Sequence, residues 1–288
     1  MTQHIVRCAT PADEQDIECF LAHHAPTSMF LRSNLAAHGL DGSTADTATK
    51  MIICIAEEQL IAVFGISNSG FLLAQNPHLV TPPAQLRQAW SGRQVLGMTG
   101  VAAQVTSVLE TLGLQHRPLT LDRDEPLYHM DLGQLAGPFV DLRAPRSTDH
   151  EMLCSWFTDY ARDTGLLHDD VDAQADAKKR AARAIEQAKL RIKELDGVPV
   201  AMTDFNAQVA DIVQVGGVFV PRNLRKNGYG RQVVAAHLAQ ARGRGANGAI
   251  LFAANRAAAR AYEAIGFRHI GAYRVALFEG DVSIPLAS

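Results

Sequence analysis

The chain has 288 residues, of which 47% are hydrophobic and 20% are charged, and its formal net charge is -3 at pH 7. This length fits two domains, and the composition is typical of a globular protein rather than a disordered one. There is no basic block, so the charge pattern argues against a nucleic-acid partner. The apolar runs 51–56 and 60–66 are too short to span a bilayer, so we expect no membrane partner.

The cysteines and the N-terminal residues bear on the compartment and on metal binding. The cysteines Cys8, Cys19, Cys54 and Cys154 are scattered without a C-x-x-C pair, which is typical of small buried hydrophobes in a reducing compartment. The first residues lack the apolar stretch of a secretory signal. We therefore expect a cytoplasmic protein. The pair at 23–24 is the one place where two histidines adjoin, so no metal site is predicted.

Two similar segments open the two halves of the chain. A short strand at 5–7 leads to Thr10, a good helix N-cap followed by Pro11. The segment from Arg143 to Asp149 has the same internal spacing as the segment from Arg7 to Asp13. A repeat whose two copies lie almost half the chain apart indicates a duplicated domain.

The first half then predicts a hairpin over 51–67, a strand and turn over 92–100 and a helix over 101–114. Residues 127–132 are expected to form its last strand, and residues 133–138 resemble a linker. We place the domains at residues 1–137 and 138–288.

The second half predicts helices over 148–163 and 173–187 and a hairpin over 190–205. Asp196-Gly197 is a strong signal for a type I′ turn between its strands. A buried strand over 215–220 follows, in which Gly216-Gly217 indicates a bulge or a close backbone approach. The tail, residues 268–278, is expected to form a final pair of strands.

A glycine-punctuated loop joins that strand to the next helix. It runs from Arg225 to Gly230, and the helix after it carries apolar residues at three- and four-residue spacing. Gly228 and Gly230 remove side chains, so backbone N–H groups at a helix N-terminus can approach an anion. The Walker and Rossmann glycine patterns are both absent. The loop therefore predicts a phosphate site of another type, R-x-x-G-x-G.

A second motif lies one strand further on. The apolar run 249–253 precedes an alanine-rich helix with the pattern N-x-x-A-x-x-x-Y-E-x-x-G-F, which contains Asn255, Ala258 and Tyr262 and closes at Gly266. The two motifs, in this order, resemble those of the GNAT superfamily of N-acetyltransferases. The resemblance implies an α/β (α+β) fold of two GNAT-like domains, each a mixed, mainly antiparallel twisted sheet flanked by helices.

The first domain lacks both motifs. If the offset between Arg7 and Arg143 is applied throughout, Gly228 corresponds to Gly92 and Gly230 to Gln94, so no phosphate loop is recognisable. We interpret the first domain as a degenerate GNAT-like domain that keeps the fold and has lost cofactor binding.

The resemblance implies that acetyl-CoA is the co-substrate and that main-chain groups, the glycine loop and the second motif hold it. The implied cofactor-binding residues are Val218, Phe219, Val220, Arg225, Lys226, Asn227, Gly228, Tyr229, Gly230, Arg231, Asn255 and Ala258. By the same resemblance, Tyr262 is the general acid for the leaving thiolate. Asn255 is also expected to cap its helix.

At the position of the general base, the sequence departs from part of the family. Some family members carry a glutamate at the position of Gln214, which cannot take a proton. Asp211 is near but faces the other side of a strand. A water relayed by Gln214, by Asp204 or by a backbone carbonyl remains an alternative.

The sequence thus predicts an N-acetyltransferase that acts on the primary amine of a small molecule or peptide, with a homodimer left open. The alternative is an acyl-CoA-binding regulatory or interaction module without turnover. Asp159, Asp163, Asp169 and Asp170 gather near the end of the first helix of the second domain. They could attract a cationic amine, but a solvated helix end is the favoured interpretation.

Overall fold

The computed structural model describes residues 4–164, 170–209 and 211–285, without the side chains of 170–173. These residues form helices and strands that are interspersed along the chain. The α-helices in this part of the chain are α1 (Glu14–His23), α2 (Ala25–His38), α3 (Pro83–Trp90), α4 (Ala102–Leu112), α5 (His150–Thr164), α6 (Asp170–Gln187), α7 (Tyr229–Gly243) and α8 (Arg256–Glu263). None of these helices combines the length and the apolar composition needed to cross a membrane.

The strands show the mixed α/β composition that the sequence predicts. They are β1 (Ile5–Cys8), β2 (Thr49–Ala56), β3 (Gln59–Ser67), β4 (Phe71–Gln75), β5 (Gln94–Val101), β6 (Leu119–Asp131), β7 (Arg191–Leu195), β8 (Val198–Val209), β9 (Ile212–Phe219), β10 (Gly248–Phe252) and β11 (Arg268–Ser283). The tail is therefore a single strand, β11, where the sequence predicted a pair.

Contacts divide the chain into two compact units. The first unit contains Met1–Pro126 and Gly271–Ser288, and the second contains Leu127–Ile270. This division differs from the sequence-based one at residue 137, because strand pairing assigns the ends differently. Residues 273–283 of β11 pair antiparallel with β5 in the first unit. Residues 127–131 of β6 pair antiparallel with β10 in the second.

In the first unit, the strand order is β1-β2-β3-β4-β5-β11-β6. The ladder between β4 and β5 is parallel, while β1, β2, β3 and β4 pair antiparallel in sequence order. Side chains alternate between the two faces of the sheet, as the pleat requires. Met51 and Ile53 pack with residues of α1 and α2. Ile52 and Cys54 pack with residues of α3 and α4.

In the second unit, the strand order is β7-β8-β9-β10-β6. Only the ladder between β9 and β10 is parallel among these pairs. Met202 and Phe219 pack with α5 and α6 on one face, whereas Val213 and Val215 pack with α7 on the other. Asp196 and Gly197 both have positive φ, 50° and 78°, which confirms the type I′ turn between β7 and β8.

The repeated opening segment forms the same local structure in each unit. Arg7 and Asp13 form an ion pair of 2.6 Å, and so do Arg143 and Asp149. In each copy the carboxylate also accepts a hydrogen bond from the backbone N–H three residues earlier, at 2.8 and 2.6 Å. The same spacing therefore gives the same arrangement twice, a bidentate arginine that joins the opening extended segment to the start of a helix.

These two pairs predict different contributions to stability. We expect Asp149→Asn to lower the free energy of unfolding by about 2–3 kcal/mol, because the Arg143 side chain that loses its partner is only 16% exposed. This value is at or below the lower end of the range for breaking a buried ion pair. Hydrogen bonding from Arg143 outweighs burial and lowers the pKa of Asp149. The stabilisation is therefore fully present above the ordinary carboxyl pKa and is lost as pH falls through the lowered value.

Asp13→Asn is the matched control. The side chain of Arg7 is 43% exposed, so its ion pair should contribute at most about 1 kcal/mol. Denaturant titrations of both variants at neutral and at acidic pH measure the difference. Equal losses in the two variants would contradict the role of burial.

Candidate active site

The second unit has a cavity of about 400 Å³ at the place where two parallel strands diverge. The ladder between β9 and β10 runs from Ile212 and Gly248 to Val215 and Leu251 and then ends. From Gly216 to Phe219, β9 pairs only with β8 among the described strands. Its other edge borders the cavity, so the backbone groups there are free to pair with an extended amide chain.

A bulge in β9 shapes this edge. Met202 pairs with Phe219 and Asp204 pairs with Gly216, so β9 has two residues where β8 has one. Gly217 lies in the bulge at φ +56°, and a Cβ at Gly216 would lie 2.2 Å from Asn206 Oδ1. Both reasons that the sequence suggested for this glycine pair, a bulge and a close approach, are confirmed.

The glycine loop begins α7 beside the cavity. Lys226 has φ 69°, and Gly228 is the helix N-cap at φ 78°. Every α-helix leaves its first N–H groups without intrahelical acceptors. The N-terminus of α7, which extends for 15 residues, therefore presents donors and a favourable dipole to an anion.

Two arginines between β9 and α7 are bound to α5. Asp163 accepts a hydrogen bond from Arg222 at 2.8 Å and also forms a short ion pair with Arg225. Arg225 Nε donates to the Val220 carbonyl at 3.0 Å, so this guanidinium spans the loop. Burial of Asp163 opposes its ionisation, but the hydrogen bonds from Arg225 and Arg222 outweigh burial and lower its pKa.

This pairing corrects both interpretations of the acidic cluster at Asp163. Asp163 is neither a solvated helix end nor free to attract an amine, because two arginines neutralise it. Asp159 contacts Arg162 at 3.3 Å. Asp169 and the side chain of Asp170 lie outside the described residues.

Helix α8 supplies the opposite wall of the cavity. The Asn255 side chain caps it by accepting from the Ala258 N–H at 2.9 Å, as the sequence predicts. The cap uses only Oδ1, which leaves the amide nitrogen of Asn255 to donate elsewhere. Tyr262 lies two turns along the helix and also lines the cavity. Burial, with a smaller contribution from the nearby Tyr160, raises the pKa of Tyr262, so its hydroxyl remains protonated at neutral pH.

Comparison with known proteins decides the family of this unit. A family model described as the acetyltransferase (GNAT) family matches residues 151–267. These residues form a GNAT domain. No curated protein matches the chain in a search by sequence.

Solved structures extend the likeness in fold to nearly the whole chain. A GCN5-related N-acetyltransferase from Sphaerobacter thermophilus has 17% identity and a TM-score of 0.55, with 99% of this chain and 98% of that one covered. A GNAT-family acetyltransferase from Colwellia psychrerythraea has 14% identity and a TM-score of 0.52, with 96% and 100% covered. A tandem GNAT protein from the clavulanic acid biosynthesis pathway has 11% identity and a TM-score of 0.52, with 97% and 98% covered.

At these identities the likeness establishes the fold alone. It confirms the expected fold class.

The cavity of the GNAT domain brings together most of the residues that the sequence singled out. Those that line it are Val218, Phe219, Val220, Arg225, Lys226, Gly230, Asn255, Ala258 and Tyr262. Four more, which belong to the loop or the first turn of α7 but do not line the cavity, are Asn227, Gly228, Tyr229 and Arg231.

Gln214 is placed differently. Its side chain is 1% exposed on β9, it does not line the cavity, and its Oε1 has no hydrogen-bond partner among the described protein atoms. Its part in catalysis therefore stays a prediction.

Sequence reasoning missed Tyr160 as a residue of this site. Tyr160 on α5 lines the cavity and raises the pKa of Tyr262 slightly, so the two phenols are neighbours. The Arg180 guanidinium of α6 lies over the Tyr160 ring, 5.4 Å from its centroid. The available signal was its position four residues after Trp156, on the apolar face of an amphipathic helix.

The first unit has a closed loop at the equivalent position. In both units this loop joins the first parallel strand to the crossover helix, which places it at residues 76–82 between β4 and α3. Asn76 Oδ1 accepts from the Val80 N–H at 2.9 Å, and the Asn76 N–H donates to Gln104 Oε1 at 2.9 Å. Pro82 and Pro83 at the start of α3 have no N–H. These features remove amide donors that an anion would need.

The position of Gln104 supports this equivalence. Gln104 lies three residues after the N-cap of α4, as Ala258 does in α8. Matching Gly228 with Gly92 was therefore wrong, because Gly92 follows α3 rather than preceding it. β5 and β10 are equivalent strands of the two copies, and the difference between their residue numbers is larger than the difference between the opening segments. The segments between them therefore differ in length in the two copies. The inference that the first copy lacks the loop is unchanged.

Proposed function

We propose that the GNAT domain transfers an acetyl group from acetyl-CoA to the primary amine of a small molecule or peptide. Its family supports acyl transfer in general. The observation that carries the proposal is the unpaired edge of β9 next to the glycine loop at the N-terminus of α7. An edge of this kind suits a chain of amides, and a helix N-terminus suits phosphates.

The residues present fit the group. The backbone from Val218 to Val220, at the end of β9 and just after it, would pair with the amides of the pantetheine arm, and Asn255 has a free donor on the facing wall. Gly230 lines the cavity, and a Cβ there would meet only Val220 Cγ2 at 3.6 Å, so the loop has room beside it. When bound, acetyl-CoA supplies an activated thioester. In this proposal Tyr262, which lines the same cavity, gives its hydroxyl proton to the departing sulfur.

Release of free thiol tests this function. Wild-type protein is incubated with acetyl-CoA and a panel of primary amines, and calorimetry measures acetyl-CoA binding in parallel. Thiol release that depends on an amine supports the proposal. Binding without thiol release would instead support the second candidate, an acyl-CoA-binding module without turnover. Gln214 favours this second candidate, because a glutamine cannot accept a proton from the amine.

The closed loop of the first unit predicts one acetyl-CoA per chain. The hydrogen bonds of Asn76 and the side chain of Gln104 occupy the first unit's equivalent of the binding loop. Calorimetry should therefore give a stoichiometry near one, and Gly230→Glu should weaken binding without leaving a second, unaffected site. A second cofactor in a soaked crystal, bound near residues 76–82, would contradict this prediction.

A further inference from the structure

Asp204 on β8 lies beside the glycine bulge. Its Cα pairs with that of Gly216, and a Cβ at Gly217 would lie 3.3 Å from the Asp204 Cβ. Gly216 and Gly217 both line the cavity and carry no side chain. The Asp204 side chain is therefore next to a stretch of cavity wall that consists of backbone alone.

Among the described residues, the Asp204 carboxylate has no dedicated cationic partner. Asp204 Oδ1 accepts from its neighbouring Phe205 N–H at 2.8 Å. Within the described part of the chain, no ion pair to Asp204 is shorter than 4.0 Å, in contrast to Asp13, Asp149 and Asp163. Burial raises the pKa of Asp204, opposed by the Phe205 N–H and by positive charges. A half-buried carboxyl group without a cationic partner among the described residues is a candidate for proton transfer.

The charged groups around Asp204 come from two elements and a loop. Arg180 and Arg183 of α6 and Lys189 of the following loop act on it electrostatically. Arg191 of β7 is also close enough to be affected by Asp204. These positive charges favour the ionised carboxylate and so oppose the effect of burial on its pKa. None of the described residues that carry them forms an ion pair with Asp204.

Arg180 acts electrostatically on Asp204 and also contacts two aromatic rings of α5. Its guanidinium lies 4.6 Å from the Phe157 ring centroid and 5.4 Å from that of Tyr160. Tyr160 in turn lines the cavity beside Tyr262. Met202, two residues before Asp204 on the same strand, packs with α5 and α6. Asp204 therefore faces this same side of the sheet.

We propose that Asp204 accepts the proton of the acceptor ammonium. This proposal rests on the function proposed above. It also explains how Gln214, which has no acidic group, can stand at the strand position where the family resemblance expects a glutamate.

The proton balance is complete. The acceptor R–NH₃⁺ gives one proton to the Asp204 carboxylate and becomes a neutral amine. The amine nitrogen forms a bond to the carbonyl carbon as the carbon–sulfur bond breaks. Tyr262 gives its hydroxyl proton to the sulfur, and the second proton lost by the nitrogen returns to the Tyr262 phenolate. Asp204 then releases its proton to solvent, so each turnover liberates one proton.

Two kinds of nucleophile separate a base from a structural residue. An alkylamine is mostly protonated at neutral pH and needs a base, whereas an alkoxyamine is mostly unprotonated and does not. In Asp204→Asn we expect kcat/KM for the alkylamine to fall by about 10²- to 10⁴-fold. The value for the alkoxyamine should change by less than about threefold. With the alkylamine, wild-type activity should fall as pH drops through the raised pKa of Asp204.

Two further variants keep the test interpretable. Asp204→Ser keeps an oxygen for the Phe205 N–H and lacks the carboxylate, so it serves if the asparagine variant does not fold. Asp196→Asn makes the same chemical change in the exposed turn of the β7–β8 hairpin, and it should leave both substrates unaffected. Equal losses with both nucleophiles in a folded Asp204 variant would overturn the assignment alone. A wild type that turns over neither nucleophile would overturn the proposed function and this assignment with it.

Discussion

Replacing Tyr262 by phenylalanine is expected to lower kcat by about 10²- to 10⁴-fold, the usual contribution of a general acid, and to leave acetyl-CoA affinity nearly unchanged. The substitution keeps the ring, which packs edge-on against Phe267 at a centroid distance of 6.1 Å. It removes only the hydroxyl. Because burial raises the pKa of this phenol, the hydroxyl is a proton donor throughout the neutral range. The measurement is kcat with a competent amine, together with calorimetry for the cofactor.

Tyr160→Phe is the informative comparison, because both phenols line the same cavity. If Tyr262 is the donor, the Tyr160 variant should keep most of its turnover. A large loss of turnover in the Tyr160 variant, with nearly normal turnover in the Tyr262 variant, would instead make Tyr160 on α5 the proton donor. Wild-type rates in both variants would mean that the proton comes from water or from the acceptor itself.

Gly230→Glu is expected to weaken acetyl-CoA binding by at least about 10- to 100-fold. The side chain would separate the phosphates from the α7 amides, and each lost hydrogen bond to a charged group is worth about 1.5–3 kcal/mol. It would also add a negative charge to an anion site. The fold should tolerate the change, because a Cβ at Gly230 makes only an ordinary contact with Val220. Gly228→Val is a poorer test, since φ +78° at Gly228 strains a branched residue.

Gly243→Glu provides a matched control at the other end of α7. A Cβ there meets nothing within 4 Å, and the substitution introduces the same charge on the same helix. Calorimetry should find normal affinity in this control. Unchanged affinity in a folded Gly230→Glu protein would remove the glycine loop from its proposed role.

The sequence predicts those features that neighbouring residues determine. Asp196-Gly197 specified a turn because a type I′ turn needs positive φ at both positions. Asn255 specified a helix start because its side chain can reach an N–H three residues later. The strand, loop and helix around Gly228 were recognisable for the same reason. Each of these depends on contacts within a few residues of chain.

Contacts between distant segments could not be predicted from the sequence. Asp163 on α5 is bound by Arg222 and Arg225, which follow β9 much later in the chain, and nothing in the local pattern distinguishes it from Asp159. Tyr160 looks like any other residue on the apolar face of α5, and only packing places it beside Tyr262. A constant offset between the two copies also misplaced the first unit's loop, because insertions accumulate along the chain.

By itself, therefore, the sequence determined the strand–loop–helix that suits a phosphate, the capped helix that carries Tyr262, and the duplication of the opening segment. The tertiary structure decided which strands complete each unit, that β9 and β10 diverge, and that Asp204 lies beside the bulge. The physical reason is that φ/ψ preferences and caps are local, whereas strand pairing and burial depend on residues far apart in the chain. From the sequence, Asp204 is one of three possible relays to a catalytic water, and only the ladder between β8 and β9 pairs it with Gly216.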